Sequence, residues 1–555
     1  MSEKKKQYPN MLERAVYFLS PEKGSGMFLK RLRKEQEIKT PADTKTGGEA
    51  KMAVSGYGRH GASTTLNSLI GWLTGGGSAE DDIDVHGALL RERSRDLVAG
   101  GGLARSGINA MVTSVIGWGV QPKPKIDKDF LKLSDEAADA WEAQALREWK
   151  LWAENTMCDA ERQQTFYDMQ QLAYRSQLTS GDVFALFEMK ENKRTPYQTA
   201  IRLLEADRIS TPESSGGESE IKELENGGRI VDGVEINKQG EVTKYHITNR
   251  HPLKENTTED TAWQPIDAFG KDTGYPNILH IYVMERPEQR RGVPFVSAQI
   301  EQIKQFDRYN VYELAANVVA AMLAVFITSD EDNGQHGMEH AVDEADRVTD
   351  DDLHLELAPG AVYSLPPGKK VNILNPIRQN SAYKDFVETQ ETIIGSSMEI
   401  PKEVLIKKYD SNYTAARASL LDFWRTVRVH RTRFNASFNQ PIYEQWLAEA
   451  VASGRIEAPG FFDDPAIRQA WCGCMWTGVS MGHVDPLKEV NAAAMRIQQN
   501  ITTQEQEASE YNGNDWDANI RQRRKEAKAI QDLLSLVGDL DAPNIEEDKE
   551  EKDDA

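Results

Sequence analysis

Three short constellations in this 555-residue chain hold residue types that can do chemistry. His336-Gly-Met-Glu339-His340 matches H-x-x-E-H, the inverted zinc-peptidase pattern. That chemistry needs both histidines on one helical face, four apart, with the glutamate beside them as base. Gly337 inside the motif and Asn333-Gly334 before it work against such a helix, so these residues favour a plain loop. Cys472-Gly-Cys474, with His483 beyond, has the ligand types of a metal site. Structural zinc usually wants Cys-x-x-Cys spacing and a fourth ligand. Trp471 and Trp476 flank the pair, which favours small residues packed in an apolar interface. Gly117 and Gly119 could suggest a phosphate cradle, but they close an apolar helix instead of opening one, and no Lys-Ser/Thr follows. There is no Walker A run, no G-x-S-x-G elbow and no G-x-G-x-x-G after a strand. The residues therefore predict no catalytic site, no metal and no cofactor.

Composition sets the frame. A 39% hydrophobic and 28% charged content is that of a globular protein with ample chain for a core. The longest apolar run, Leu314 to Ile327, is too short for a bilayer span and contains Asn317. The lysine-bearing start has no apolar h-region, which predicts no secretory signal. Three cysteines, Cys158, Cys472 and Cys474, cannot build a disulfide framework, which fits a reducing cytosol. A net charge of -22 argues against general adhesion to nucleic acid, though not against DNA that slides past.

Elements follow from punctuation and periodicity. Residues 1–80 alternate basic and Gly/Ser/Thr-rich segments and read as a mobile arm, with DNA or scaffold contact as the alternative. An Arg-rich helix breaks at Gly100 to Gly102, and a second helix ends at Gly117. Ser134 caps a helix that runs to Asn155 and carries Trp141, Ala145, Trp149 and Trp152 on one face. That stripe reads as core packing over base stacking. Thr165 and Asp168 have capping-box spacing. From Gly181 strands take over: DVFALFEM, TAIRLLEADRI, GVEIN, EVTKYHITN and NILHIYV predict a small α+β part. Arg286, Arg290 and Arg291 cluster before the next helix; contact with DNA or a neighbouring subunit and a solvated or ion-paired cluster are both open. Pro294 to Ala324 reads as a long helix whose second half is apolar on most faces, so another helix or subunit must cover it. AVFITSD reads as a strand, EDNGQHG as a loop, and LELAPGAVYSLPPGKKVNIL as two short strands.

The stretch from Tyr383 to Val451 predicts two helices with a corner at Pro401. The second starts near Ser411-Asn412 and carries Ala416, Leu420, Phe423, Trp424, Val427 and Phe434 on one face. Arg417, Arg425, Arg428, Arg431 and Arg433 lie elsewhere around it, and Pro441 should kink or restart it. Asp485-Pro486 and Thr502 or Thr503 start further helices, a last one stops at Gly538, and the chain closes in the acidic run EEDKEEKDDA.

Three stretches in order resemble the portal proteins of lambda-like tailed bacteriophages. IPKEVLIKKYDSNYTAARASLLDFWR followed by QPIYEQWLAEAV matches that family's Pro after a helix, Asn-Tyr-(Ser/Thr)-x-x-Arg run and Pro-Ile-Tyr-x-x-Trp-Leu helix. The segment from LLRERSRDL to GWG matches its Arg-rich run and Gly-x-Gly turn. GDVFALFEM, EADRI and ILHIYVMERPEQRRGVPFVS form the third match.

The resemblance implies a mostly helical α+β ring subunit with wing, stem, clip and crown regions. It implies an arm over 1–80, wing over 81–293, and a stem helix over 294–324 with Leu314, Val318 and Met322 at the subunit interface. A clip and return segment spans 325–352. Wing strands, tunnel loop and long helices fill 353–453, followed by a crown-like region over 454–540 and an acidic tail over 541–555. The tunnel loop just before the long wing helix would include Asn375, Ile377, Arg378, Gln379, Asn380 and Tyr383, with Arg378 touching phosphates. The alternative there is an ordinary wing-surface loop with Arg378 paired to a carboxylate. The implied partners are further copies in a dodecameric ring, double-stranded DNA in its channel, terminase large subunit, major capsid protein and scaffold, and a head-tail connector, with no membrane. The implied location is the capsid portal vertex of the virion, after assembly in the host cytoplasm. The rival readings are a virus-encoded zinc peptidase built on His336 and a non-ring structural adaptor.

Overall fold

The computed structural model describes residues 76–212, 221–252, 261–322, 326–329, 369–372, 382–409, 413–480, 486–512 and 516–537. Residues up to Ser78 form a unit of their own, and everything below concerns the unit that begins at Ala79. It is an α+β structure, mostly helical. Helices of five or more residues run over Gly87–Gly100 (α1), Gly102–Val115 (α2), Asp135–Ala153 (α3), Phe166–Ser180 (α4), Ile300–Met322 (α5), Tyr383–Ser397 (α6) and Lys402–Ile406 (α7). They continue over Tyr413–Phe434 (α8), Gln440–Ala452 (α9), Pro465–Trp471 (α10), Pro486–Gln498 (α11), Gln504–Asn512 (α12) and Trp516–Val537 (α13).

Local chemistry explains most of these ends. Ser134 accepts from the Ala137 N–H to cap α3. Thr165 and Asp168 form the reciprocal box at α4. Gly101 and Gly102 both take positive φ, which separates α1 from α2 where a side chain would be strained. Gly117, at φ 62, returns its N–H to the Val112 carbonyl and closes α2. Pro401 ends the α6 corner and caps α7, as proline chemistry predicts. At Pro441 the outcome is a restart without a break: Asn435–Asn439 widen into a π-helical turn, and α9 follows with the proline in its first turn. The long helix α5 starts at Ile300, later than the expected Pro294, after a 3-10 turn at Ser297–Gln299. The Phe295 N–H is tied to the Leu178 carbonyl at 2.9 Å, which holds the chain off helical geometry there.

Four small antiparallel sheets accompany the helices. Asp182–Met189 (β2) sits between Thr199–Glu205 (β3) and Ile278–Tyr282 (β9). A five-stranded meander runs from Ile221–Glu223 (β4) through Arg229–Val231 (β5), Val234–Ile236 (β6) and Val242–Thr248 (β7) to Trp263–Asp267 (β8). Gln121–Pro124 (β1) pairs with Cys474–Thr477 (β12). Phe326–Ser329 (β10) pairs with Lys369–Asn372 (β11).

The main core joins α1–α4 to α6–α9 and the β2 sheet. Trp149 stands at its centre, with ring centroids of Trp152, Phe166, Tyr443 and Trp446 between 4.9 and 5.5 Å away. Trp149 and Trp152 are fully buried and Trp141 nearly so, so the aromatic stripe of α3 is core. A smaller cluster of Phe184, Leu204, Ile209, Val231, Val234, Tyr245 and Ile247 holds the meander to the β2 sheet.

Candidate functional site

The long helix α5 divides into two halves with opposite fates. Ile303 and Phe306 in its first half are buried in the chain's own core. Past Asn310 the helix leaves that core. Val311, Tyr312, Leu314 and Val318 are 64, 64, 66 and 47% exposed. At 100° per residue Val311, Leu314 and Val318 form one stripe, with Ala315 beside them and also exposed. Burying three such side chains is worth roughly 1.5–3 kcal/mol each. The single chain forgoes that gain. The sequence expectation that another helix or subunit must cover this half thus meets an uncovered surface. Met322 ends the described helix.

Helix α6 braces the half that is covered. Tyr309 stacks on Tyr383 at 6.0 Å and meets Phe386 edge-on at 4.9 Å. The Tyr383 hydroxyl donates to Asn310 Oδ1 at 3.1 Å, and Gln302 Nε2 donates to Gln390 Oε1 at 2.8 Å. Tyr383 is therefore the first residue of α6 and is anchored on α5. Ser329 and Lys369 are opposed in the β10–β11 ladder. Asn375, Ile377, Arg378, Gln379 and Asn380 lie outside the described residues, as do the His336–His340 motif and His483.

The arginine cluster before α5 has an internal use. Arg291 is fully buried. Its Nε donates to Asp182 Oδ2 at 2.6 Å, its Nη1 donates to the carbonyls of Ile209 and Asp232 at 2.9 and 2.6 Å, and its Nη2 donates to that of Ala206 at 2.7 Å. The Asp232 carboxylate is 2.9 Å away. Arg91 of α1 reaches Asp232 and Asp207 from the other side. Arg290 donates to the Gly240 carbonyl, and Arg286 pairs with Asp82. Of the readings left open, internal ion pairing holds for Arg286 and Arg291, while Arg290 is held by a backbone carbonyl. The Asp182 carboxyl is driven far below the carboxylate range: burial alone would raise it, but Arg291 and then His280 beside it outweigh that. Three segments meet on this one guanidinium, which the loop after β9 supplies: the start of β2, the stretch from Ala206 to Ile209 and the β5–β6 turn. Helix α1 joins at one remove, through Asp232.

Asp84 sits at the rim of the same network and accepts the backbone N–H groups of Arg290 and Arg291 at 3.2 and 3.1 Å. Burial, the largest influence, pushes its carboxyl from 3.8 up to about 6, against those bonds and Arg291. A raised folded value means its contribution to stability is complete below about pH 4 and is lost as the pH rises through 6. The loss is on the order of 3 kcal/mol. Asp84→Asn should remove this component. Melting temperatures of the variant and the parent, followed from pH 4 to 7, should converge or cross, with the parent falling more steeply. Parallel curves would show that Asp84 does not titrate in this window.

The Cys472–Cys474 pair is packing. Gly473 leaves no room for a side chain, since a Cβ there would lie 2.2 Å from the Lys125 carbonyl, and Cys474 stands opposite Pro124 in the β1–β12 ladder. Burial pushes the Cys472 thiol up to about 12 and the Cys474 thiol up as well, so neither is poised as a thiolate. Among the described residues, the acidic and imidazole groups that come close enough to share an ion are Glu205, Asp207 and His251. Asp207 is already paired with Arg91 and Arg95, which leaves that trio poorly suited to a cation.

A groove of about 1000 Å³ lies between α8 and the α11–α12 pair. Its charges are interlaced: Arg417 with Glu489, Lys125 with Glu505, Arg496 with Glu507. Arg431, which the sequence places only among several arginines around α8, donates at 2.8 Å to the carbonyls of Ser114, Val115 and Val479. It therefore closes the carboxyl end of α2. Burial pulls its pKa down to about 10.

A model of the lambda family of phage portal proteins matches residues 66–431. That is well over half of the sequence, and the chain belongs to this family. It is 25% identical over 455 residues to portal protein B of Escherichia phage lambda, covering 78% of this chain and 82% of that protein. It is 24% identical over 506 residues to the portal protein of Escherichia phage N15, covering 87% and 92%. Among solved structures it is similar to a chain from the neck of an empty gene transfer agent particle computed with C6 symmetry. There the identity is 12% and the TM-score 0.44, over 76% of this chain and 92% of that one. No helix among the described residues is long and apolar enough to cross a membrane.

Proposed function

We propose that this portal-family chain closes into a dodecameric ring at one capsid vertex and passes double-stranded DNA inward during packaging and outward during ejection. The observation that supports this best is the uncovered outer half of α5, with Val311, Leu314 and Val318 on one stripe. In a ring of parallel subunits each stripe meets a neighbouring subunit, and symmetry repeats the contact until it closes. Residues 81–293 then serve as wing, 294–324 as stem, 325–352 as clip and return, 353–453 as the inner wing with its tunnel loop, and 454–540 as crown. The work is structural. Terminase large subunit supplies the ATPase, major capsid protein and scaffold surround the ring, and a head-tail connector docks on the finished head. The ring ends up in the virion after assembly in the host cytoplasm.

The channel-facing part is the loop from Asn375 to Tyr383. Tyr383 anchors the start of α6 on α5. The preceding residues, with Arg378 among them, project toward the ring axis in this reading. A cation there touches passing phosphates without reading sequence. Arg378→Ala should leave ring and procapsid yields intact, because a loop charge adds little to stability. Packaging efficiency or retention of the full-length genome should change measurably. Particles carrying Arg378→Ala, or a loop cut to two glycines, that fill and hold DNA like the parent would remove the tunnel-loop assignment.

A further inference from the structure

We propose that the groove between α8 and the α11–α12 pair is a docking site for the chain's own acidic run, residues 546–555. The groove encloses about 1000 Å³, the upper end of the range for ligand pockets. Along α8 its wall is Arg417, Leu421, Trp424, Arg428 and Arg431, at i, i+4, i+7, i+11 and i+14. That spacing is one helix face, about 21 Å long, on which cations and apolar side chains are mixed. Leu421, and Met475 from β12, line the groove while 43 and 38% exposed, so part of its apolar surface is open.

Charge sets this groove apart. Lys125, Arg425 and Arg496 join the three arginines of the α8 face, six cations against three glutamates, on a chain whose net charge is -22. The Arg431 guanidinium is held by three carbonyls, which satisfy its donors and leave its charge in place. Arg428 is close enough to add to the effect of burial in lowering the Arg431 pKa, so two like charges crowd one another there. A second concavity, between α1 and α5, is balanced: Arg93 and Lys304 face Asp96 and Glu301. A net positive lining is therefore not what every concave surface with arginines has.

The run 546–555 reads EEDKEEKDDA, seven carboxylates and two lysines. Helix α13 starts beside the groove: Trp516 Nε1 donates to Gln504 Oε1 of α12 at 3.0 Å, two residues before Gln506 in the lining. The helix is about 33 Å long. The 18 residues after Val537 extend to about 60 Å, so the run can return to the groove whichever way the helix points. A peptide of mixed sign fits the lining better than a duplex does. Its carboxylates meet the arginines, and Lys549 and Lys552 meet the glutamates of the α11–α12 wall, which would repel closely spaced phosphates. The apolar side chains between the charges strengthen each pair by excluding water.

The test uses the full-length protein and is independent of ring formation. A photo-crosslinking benzoylphenylalanine replaces Leu421, and irradiated protein is digested and mapped by mass spectrometry. The expected crosslinks join position 421 to peptides from 546–555, in a product that runs as one subunit on a denaturing gel. Yield should fall about fivefold or more in E546Q/E547Q/E550Q/E551Q, and likewise in about 1 M salt. The same group at Met475 should reach the same run, which keeps the test open if the Leu421 protein fails to fold. At Ile530, on α13 and 60% exposed, it should give little. Crosslinks from Leu421 and Met475 that miss the run, yields from Ile530 that equal theirs, or yields indifferent to the four glutamines would each overturn the proposal. So would a covalent ladder of subunits, which places another copy's run in the groove, or a 12-bp duplex that displaces the run at low salt.

Discussion

Arg291→Met should be the most damaging single substitution in the wing, with a loss of roughly 4 kcal/mol or more. Removing the guanidinium strands the buried carboxylates of Asp182 and Asp232 and leaves the carbonyls of Ala206, Ile209 and Asp232 without their donor. Each is a polar group out of reach of water, and an unmade bond there costs the full desolvation of the group. Arg291→Lys should rescue little. One ammonium cannot reproduce a planar fork that serves two carboxylates and three carbonyls at once. Asp182→Ala approaches the problem from the other side: it leaves a buried cation with Asp232 as its remaining carboxylate partner. Urea unfolding followed by circular dichroism, together with soluble yield, reads all three. An Arg291→Met protein with the parent's unfolding midpoint would mean these segments are held by something other than this hub.

Val318→Asp should act on assembly and spare the subunit. Val318 is 47% exposed in the single chain, so an aspartate there costs the isolated fold little. In the proposed ring the same position lies between neighbouring stems, where an unpaired carboxylate must be stripped of water once per subunit. The effective penalty is several kcal/mol per interface. Because a closed ring repeats that interface, the cost multiplies, and the protein should run as monomers or aggregates with a normal circular dichroism spectrum. Val318→Leu at the same position should assemble. Size-exclusion chromatography with light scattering distinguishes these results. Normal rings from Val318→Asp would move the interface away from this stripe.

Local chemistry was legible before the fold was known. Ser134, Thr165 with Asp168, Gly117 and Pro401 end or start helices where their side chains and backbone freedom require it. The tryptophan stripe of α3 was legible as core because four large or small apolar residues at helical spacing have few other uses. The Arg291 hub was not legible. Its partners lie 109 residues away in Asp182 and 59 in Asp232, and nothing in the run Arg290-Arg291 separates a buried arginine from a solvated one. The early boundary given to α5 has the same origin: the Phe295 to Leu178 bond is a tertiary contact that overrides helical propensity.

The central claim is that a stem half uncovered in one chain is covered by the next in a closed ring. Native mass spectrometry of the purified full-length protein, with class averages from electron microscopy of the same sample, tests it most directly. We predict a single closed species of about a dozen subunits with a central channel, consistent with closed symmetry and a heterologous interface. A monodisperse monomer at micromolar concentration, or open chains of variable length, would contradict it.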